Sequence, residues 1–295
     1  MDPIVVFLQA VVSGVSIGCI YALVALGFVL IYKATEVVNF AQGELMMVGA
    51  FFAYSIVDLG GVPFVPGVLL ALLATAAFGV VINRLLLRPL IGSPALTIVL
   101  ATVAVSTLIR ALVAMVPGWG VETHRLSNPV AGKVIRIGDL VISGDHLVVI
   151  LVTVVLVGLL YLFFSRSRIG VALQATSQNQ LAAGYTGINV RRMFGLIWGI
   201  SAAVAALAGV LLAPMAFVHV NMGYIGLKAF PAAVLGGFGS LPGAVIGGIV
   251  IGVIEELAGL YLPEGFKNVA AYIVLLAVLM VRPQGLFGIS KRVRV

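Results

Sequence analysis

The sequence predicts an all-α polytopic membrane protein with about 8–9 transmembrane helices, some of them broken or re-entrant. Three observations predict it. Of 295 residues, 62% are hydrophobic and only 9% are Asp, Glu, Lys or Arg, with a mean hydropathy of +1.23. A soluble domain carries about 25% charged and about 45–50% apolar residues, so this chain cannot cover a globule with polar surface. No charged residue lies between Asp2 and Lys33, Asp58 and Arg84, Arg88 and Arg110, Asp145 and Arg166, Arg192 and Lys228, or Lys228 and Glu255. A helix needs about 20 apolar residues to cross the hydrocarbon core, and most of these windows are long enough. Runs such as VVILVTVVLVGLLYLFF do not alternate, which excludes barrel strands. A soluble enzyme, a secreted scaffold and a disordered regulator are all excluded.

The spans follow in order. The first covers Ile4–Ile31; it has no positive leader and is too long for the core of a cleavable signal. Lys33, Thr35, Glu36, Asn39, Gln42 and Glu44 make a polar stretch before a short apolar segment, Leu45–Val57. Gly60-Gly61-Val62-Pro63 is a turn. Spans at Phe64–Ile82 and Ala95–Val116 flank Asn83, Arg84, Arg88 and Pro89. Pro117–His146 is the longest polar connection, in which two β-prone runs around Gly138-Asp139 predict a hairpin. It reads either as a lid or as a docking surface for an external partner. A span at Leu147–Phe164 precedes a basic loop, 165–192, and another span covers Met193–Phe217. Lys228–Leu257 is apolar but broken by Gly236-Gly237, Gly239-Ser240 and Pro242-Gly243. Val269–Val281 is the last span, before Arg282, Lys291, Arg292 and Arg294.

Lys and Arg orient the helices. Placing Arg84/Arg88, Arg166/Arg168/Arg191/Arg192 and the C-terminal cluster in the cytoplasm puts the N-terminus and Pro117–His146 outside and the C-terminus inside. The net charge of +7 is thus a topology signal and not a nucleic-acid footprint. A weak two-fold pattern pairs Ile4–Ile31 and the segment around Asn39–Gly49 with Met193–Phe217 and the segment around Lys228–Gly248. Such interruptions at matching places in two halves point to a transporter's pathway.

No enzymatic constellation is present. His124, His146 and His219 have no ligand-spaced partners, and HExxH, GxSxG and the phosphate-binding GxxxxGK[ST] are missing. Gly237-Phe-Gly239 opens like a dinucleotide motif, but Pro242 takes the place of its third glycine. Cys19 sits in an apolar run as a packing residue. Three patches remain. Asn39, Gln42, Gly43 and Glu44 place polar groups beside apolar segments, with Gly43 free to break a helix; they read as a pathway lining or as an ordinary solvated loop. Gly236, Gly237, Gly239 and Pro242 suit tight helix packing, a discontinuous helix, or both. Ser177-Gln178-Asn179-Gln180 fits a capping box, with Ser177 the cap and Gln180 reaching back. Leu181, Tyr185 and Ile188 then share one face of a short helix that Gly187 ends. That helix either rests on lipid or fits a groove on a soluble partner.

VVNFAQGELMMVGAF, RPLIGSPALTIVLATVAVS, ATSQNQLAAGYTGINVRRMFGLIWGISAAVAALAGVLLAP and KAFPAAVLGGFGSLPGAVIGG together resemble the permeases of bacterial ABC importers for branched-chain amino acids, most of all the LivH-type subunit. The resemblance runs from Val5 to Gly288. It implies a single permease domain over 1–295 with the ABC importer permease fold, in a bacterial inner membrane. It implies a heterodimer with a second, LivM-like permease, two ABC ATPase subunits docked on coupling helices, and a periplasmic substrate-binding protein. This chain would hold no cofactor, ATP being bound by the partner ATPases. Ser177, Gln178, Asn179, Gln180, Leu181, Tyr185 and Gly187 would carry the coupling contact. Asn39, Gln42, Gly43, Glu44, Gly236, Gly237, Gly239 and Pro242 would flank the translocation pathway. One departure is the neutral Ser177–Gln180, where many relatives carry an acidic residue; docking is expected there without a charge-mediated contact. Urea or short amides are rival substrates within the family. A stand-alone channel or ion-driven carrier is the reading outside it, disfavoured because Glu44, Glu255 and Glu256 sit near predicted span ends.

Overall fold

The computed structural model describes residues 3–90, 93–130 and 132–288; Lys291, Arg292 and Arg294 lie outside the described residues. In chain order the elements are α1 (Pro3–Thr35), α2 (Gln42–Tyr54), α3 (Phe64–Ile82) and α4 (Ala95–Met115). Then come β1 (Val134–Ile137), β2 (Leu140–Ser143), α5 (Gly144–Arg166), α6 (Arg168–Gln178) and α7 (Gln180–Tyr185). The chain continues through α8 (Val190–Ala216), α9 (Met222–Leu227), α10 (Ala229–Gly236), α11 (Leu241–Tyr261) and α12 (Phe266–Val281). A wide turn, Ser55–Leu59, extends α2, and Asn83–Leu90 extends α3. Among the described residues six helices are long and apolar enough to cross a membrane. The apolar stretches Met222–Gly236 and Phe266–Val281 are shorter.

The long helices sort by burial. In α1 89% of the most apolar window is buried and in α8 78%, against 22% in α4 and 17% in α5. A helix apolar on every side belongs in the interior, so α1 and α8 form the centre and α4 and α5 the rim. Close approach of α1 to α11 rests on small residues. Gly14, Gly18 and Ala22 face Val253, Ile249 and Gly248 in antiparallel order, and a methyl group added to Gly18 would sit 2.7 Å from the Ile249 Cα. Backbones that touch in this way need small residues at one-turn spacing.

The predicted hairpin forms, with Ile137 paired to Leu140 around Gly138-Asp139. It marks one end of the molecule, together with the start of α1 and the Val116–Ser143 connection; α6 and α7 mark the opposite end. At the hairpin end the backbone of His124 exchanges two 2.8 Å hydrogen bonds with Val218. Trp119 there stacks on Phe51 and donates to Ser55 Oγ at 2.6 Å.

The chain is built from two inverted repeats joined by α5–α7. The first is α1, α2, α3 and α4; the second is α8, α9–α10, α11 and α12. In each, the long first helix packs on the third helix of the other repeat, α1 on α11 and α8 on α3. Each first helix ends the same way. Glu36 donates to Tyr32 O and Phe217 to Ala213 O, and these two are the described non-glycine residues in the left-handed region, at φ 56° and φ 58°. The chain then turns back, passes through Val38-Asn39 or Val220-Asn221, and starts a short helix. The predicted two-fold pattern is present, with one correction. The partner of the Asn39 break is Phe217–Asn221, not Lys228–Gly248, because the left-handed turn follows directly on the end of α8.

Candidate functional site

The two returning segments bring the N-termini of α2 and α9 together. Gly43 and Gly223 meet backbone to backbone; a methyl on Gly43 would lie 2.2 Å from Gly223 O. This corrects the expectation that Gly43 breaks a helix. It lies inside the first turn of α2, and its role is this contact; the break is upstream, in the chain between α1 and α2.

Irregular backbone in an apolar interior must find partners. Asn39, 1% exposed, accepts from Ala41 N through Oδ1 at 3.0 Å. Phe40 N donates to Thr102 Oγ1 at 3.2 Å. Gln42, fully buried, donates to Ser201 O at 3.3 Å, and the Ser201 hydroxyl lies 3.0 Å from both Gln42 Oε1 and Gly27 O. In the second break His219 Nδ1 accepts from Asn221 N at 3.1 Å. Gln42 thus ties the first break to α8 and the Phe40 backbone ties it to α4, while Asn39 closes the turn locally.

One turn further, Glu44 is 1% exposed and accepts from Arg110 Nη2 of α4 through Oε1. Its Oε2 has no partner, and neither has Arg110 Nε. Gly223 presses on this carboxylate: a methyl there would lie 2.5 Å from both oxygens. The guanidinium carbon of Arg110 sits 3.7 Å from the ring centre of Tyr224, a side chain 56% exposed. A second polar cluster lies where α9 passes into α10. Lys228 donates to Glu255 Oε1 at 3.0 Å and to Asn268 Oδ1 at 2.8 Å, and Tyr21 donates to Glu255 Oε2 at 2.7 Å. The expectation that the acids lie at span ends is therefore corrected for Glu44 and Glu255, each paired and buried inside the helix packing. Arg110 and Tyr224 were missed. The signal for Arg110 was a charge inside the predicted span Ala95–Val116; Tyr224 carried none.

The glycine-rich patch is a tight turn between α10 and α11. Gly236 and Gly243 pack backbone on backbone, Gly237 holds φ 90°, and Ser240 caps α11 by accepting from Gly243 N at 3.0 Å. Pro242 opens α11 and is exposed, and nothing approaches Gly239. Leu286 N donates to Leu235 O at 2.8 Å, so the segment after α12 seals this turn.

At the α6–α7 end a cavity of about 310 Å³ runs between α1, α3, α4 and α8; its polar lining includes Thr35, Glu36, Asn39, Asn83, Ser93, Thr102 and Gln180. The capping box is not formed. α6 runs through Gln178, so Ser177 has helical backbone and donates to Gln174 O at 2.8 Å. Asn179, extended at φ −156°, caps α7 and accepts from Ala182 N at 3.0 Å; Gln180 instead reaches Ala34 O at 3.1 Å. Leu181 and Tyr185 project from α7, 75% and 90% exposed. Gly187, at φ 86°, ends the helix as expected, with Ile188 N donating to Ala183 O at 3.1 Å.

Over residues 10–281 the chain matches the family described as branched-chain amino acid transport system / permease component. It is 35% identical to the high-affinity branched-chain amino acid transport system permease protein BraD of Pseudomonas aeruginosa, over 98% of either chain. It is 33% identical to the corresponding LivH protein of Escherichia coli, over 96% of each. A probable branched-chain amino acid transport permease protein LivH of Methanocaldococcus jannaschii is 30% identical, over 91% of this chain and 88% of that one. Among solved structures, PsaBC from Streptococcus pneumoniae in complex with Fab superposes with a TM-score of 0.50 at 15% identity, over 94% of this chain and 92% of that one. At that identity the likeness concerns the fold alone.

Proposed function

The chain belongs to the branched-chain amino acid transport system permease family, and from that premise we propose that it forms one half of the membrane pathway of an ATP-driven importer of leucine, isoleucine and valine. The observation that carries the reading is its agreement, along 98% of its length, with a relative named for that transport. A second, LivM-like permease completes the pathway, two ABC ATPases bind and hydrolyse ATP, and a periplasmic binding protein delivers the cargo. The chain itself is not catalytic.

Read this way, the hairpin end faces outside and the α6–α7 end and C-terminus face the cytoplasm. The helices then traverse the inner membrane alternately, with the breaks at Glu36–Ala41 and Phe217–Asn221 inside it. Asn39, Gln42, Gly43 and Glu44 flank the pathway from one side. Gly236, Gly237, Gly239 and Pro242 form the turn at its cytoplasmic end. The segment 177–187 is the coupling element. Leu181 and Tyr185 are its contact residues, because large apolar side chains this exposed suit a groove on a soluble partner. Asn179 and Gly187 frame the helix, Gln180 ties it to the end of α1, and Ser177 and Gln178 complete its entry. Movement of the ATPases would reach α1 along that tie. A pathway changes state only where the cargo or the ATPases bind two states differently.

The test is purification of the tagged chain with the products of its neighbouring genes, followed by leucine uptake into proteoliposomes. Co-purification of a second permease and a P-loop ATPase, with ATP- and binding-protein-dependent leucine uptake, is expected. Uptake of urea or a short amide in place of leucine overturns the cargo assignment. Solute movement by the isolated chain without ATP overturns the importer reading.

A further inference from the structure

We infer that the Glu44–Arg110 pair is a recognition site for the charged head of a zwitterionic amino acid, Arg110 taking the α-carboxylate and Glu44 the α-ammonium. The inference deepens the transport reading and rests on it for the cargo.

Each partner uses part of its bonding capacity. Glu44 Oε1 and Arg110 Nη2 bind one another, while Glu44 Oε2 and Arg110 Nε are buried and unpaired. Buried charged atoms are seldom left open, because water has been lost without replacement. What stays open here is one anionic acceptor and one cationic donor. An ammonium and a carboxylate on a single carbon are their complement. Charge balance points the same way. The pair is neutral, so a neutral zwitterion can join it without adding net charge to a low-dielectric interior, whereas a lone anion or cation would.

The surroundings fit a site that opens. The pair stands where α2 and α9 begin, two short helices whose backbones meet where Gly43 packs on Gly223 and Gly226. Gly223 gives the carboxylate its space. The Tyr224 ring covers the guanidinium and is itself 56% exposed, so a change in its position uncovers Arg110, now 21% exposed. A purely structural tether between α2 and α4 explains the ion pair. It explains neither the two open atoms nor the exposed aromatic cover.

The test uses the complete transporter in proteoliposomes. Glu44→Gln with Arg110→Gln removes both charges and leaves neither uncompensated; the first change is isosteric and the second shortens the side chain. The double variant is expected to assemble with its partner subunits and to show a KM for L-leucine uptake raised roughly ten-fold or more. A KM within about two-fold of wild type overturns the inference and leaves the pair a tether. If the double variant does not assemble, labelling decides. Cys19 is the single cysteine of the chain, so Tyr224→Cys in a Cys19→Ala background offers one reactive thiol. Saturating L-leucine with binding protein is expected to slow its alkylation roughly ten-fold, because the occupied site closes over Arg110. Equal rates with and without leucine overturn the inference. Wild-type vesicles that take up no leucine overturn the transport reading instead, since there the pair is intact.

Discussion

A buried ion pair is weak evidence of stability, yet breaking one is costly. Arg110→Ala leaves the Glu44 carboxylate, 1% exposed, without its cation. The loss expected is about 3–5 kcal/mol. It is read as a lowered melting temperature of the detergent-purified chain, while the doubly neutral variant loses less. At this scale the sequence was half legible. Asn39, Gln42 and Glu44 stood out as polar residues among apolar ones. Arg110 stood inside a predicted span but served only to bound a charge-free window. Nothing local marks Tyr224, because its position over Arg110 depends on α9 meeting α4 across the fold.

Elements were legible wherever hydropathy alone decides them. Phe64–Ile82 has the predicted bounds, and the hairpin turns at Gly138-Asp139 as expected. The breaks were harder, since Glu36 and Phe217 adopt left-handed backbone without the glycine that usually announces it. Long-range partners such as Thr102 and Ser201 hold the first break, and no local pattern reveals them. The capping error has the same origin: Ser177 and Asn179 are both good caps, and the choice depends on how far α6 extends. Asn179→Ala is accordingly expected to destabilise the α7 region by about 1 kcal/mol, and Ser177→Ala far less, read as amide exchange in Gln180–Tyr185. Helix contact makes a sharper contrast. A methyl on Gly252 would lie 2.3 Å from Gly18 N, whereas nothing stands within 4 Å of Gly158 on α5. Gly252→Leu must separate α1 from α11 and is expected to cost more than the ~1–3 kcal/mol of ordinary overpacking. Gly158→Leu is expected to leave the melting temperature unchanged.

At the scale of the whole molecule, the inverted repeats tie the topology to the chemistry. Two repeats of opposite direction place two broken segments against each other, which is why Gly43 meets Gly223 and why Glu44 lies beside Gly223. The same inversion demands that the hairpin and the α7 turn lie on opposite faces of the bilayer. The basic residues choose which face is which. Arg84, Arg88, Arg166, Arg168, Arg191 and Arg192 all fall at the α6–α7 end, so the positive-inside tendency predicts that end in the cytoplasm, the orientation proposed above. Single cysteines test this in a Cys19→Ala background. Gly138 and Gly187 have open space around them, so neither site crowds a new thiol, though both hold φ above 60° and pay a small backbone strain. In sealed right-side-out vesicles an impermeant maleimide is expected to label Gly138→Cys at once and Gly187→Cys only after permeabilisation. Labelling of Gly187→Cys in sealed vesicles sinks the orientation, and the coupling role of Leu181 and Tyr185 falls with it, because α7 would then face away from any source of ATP.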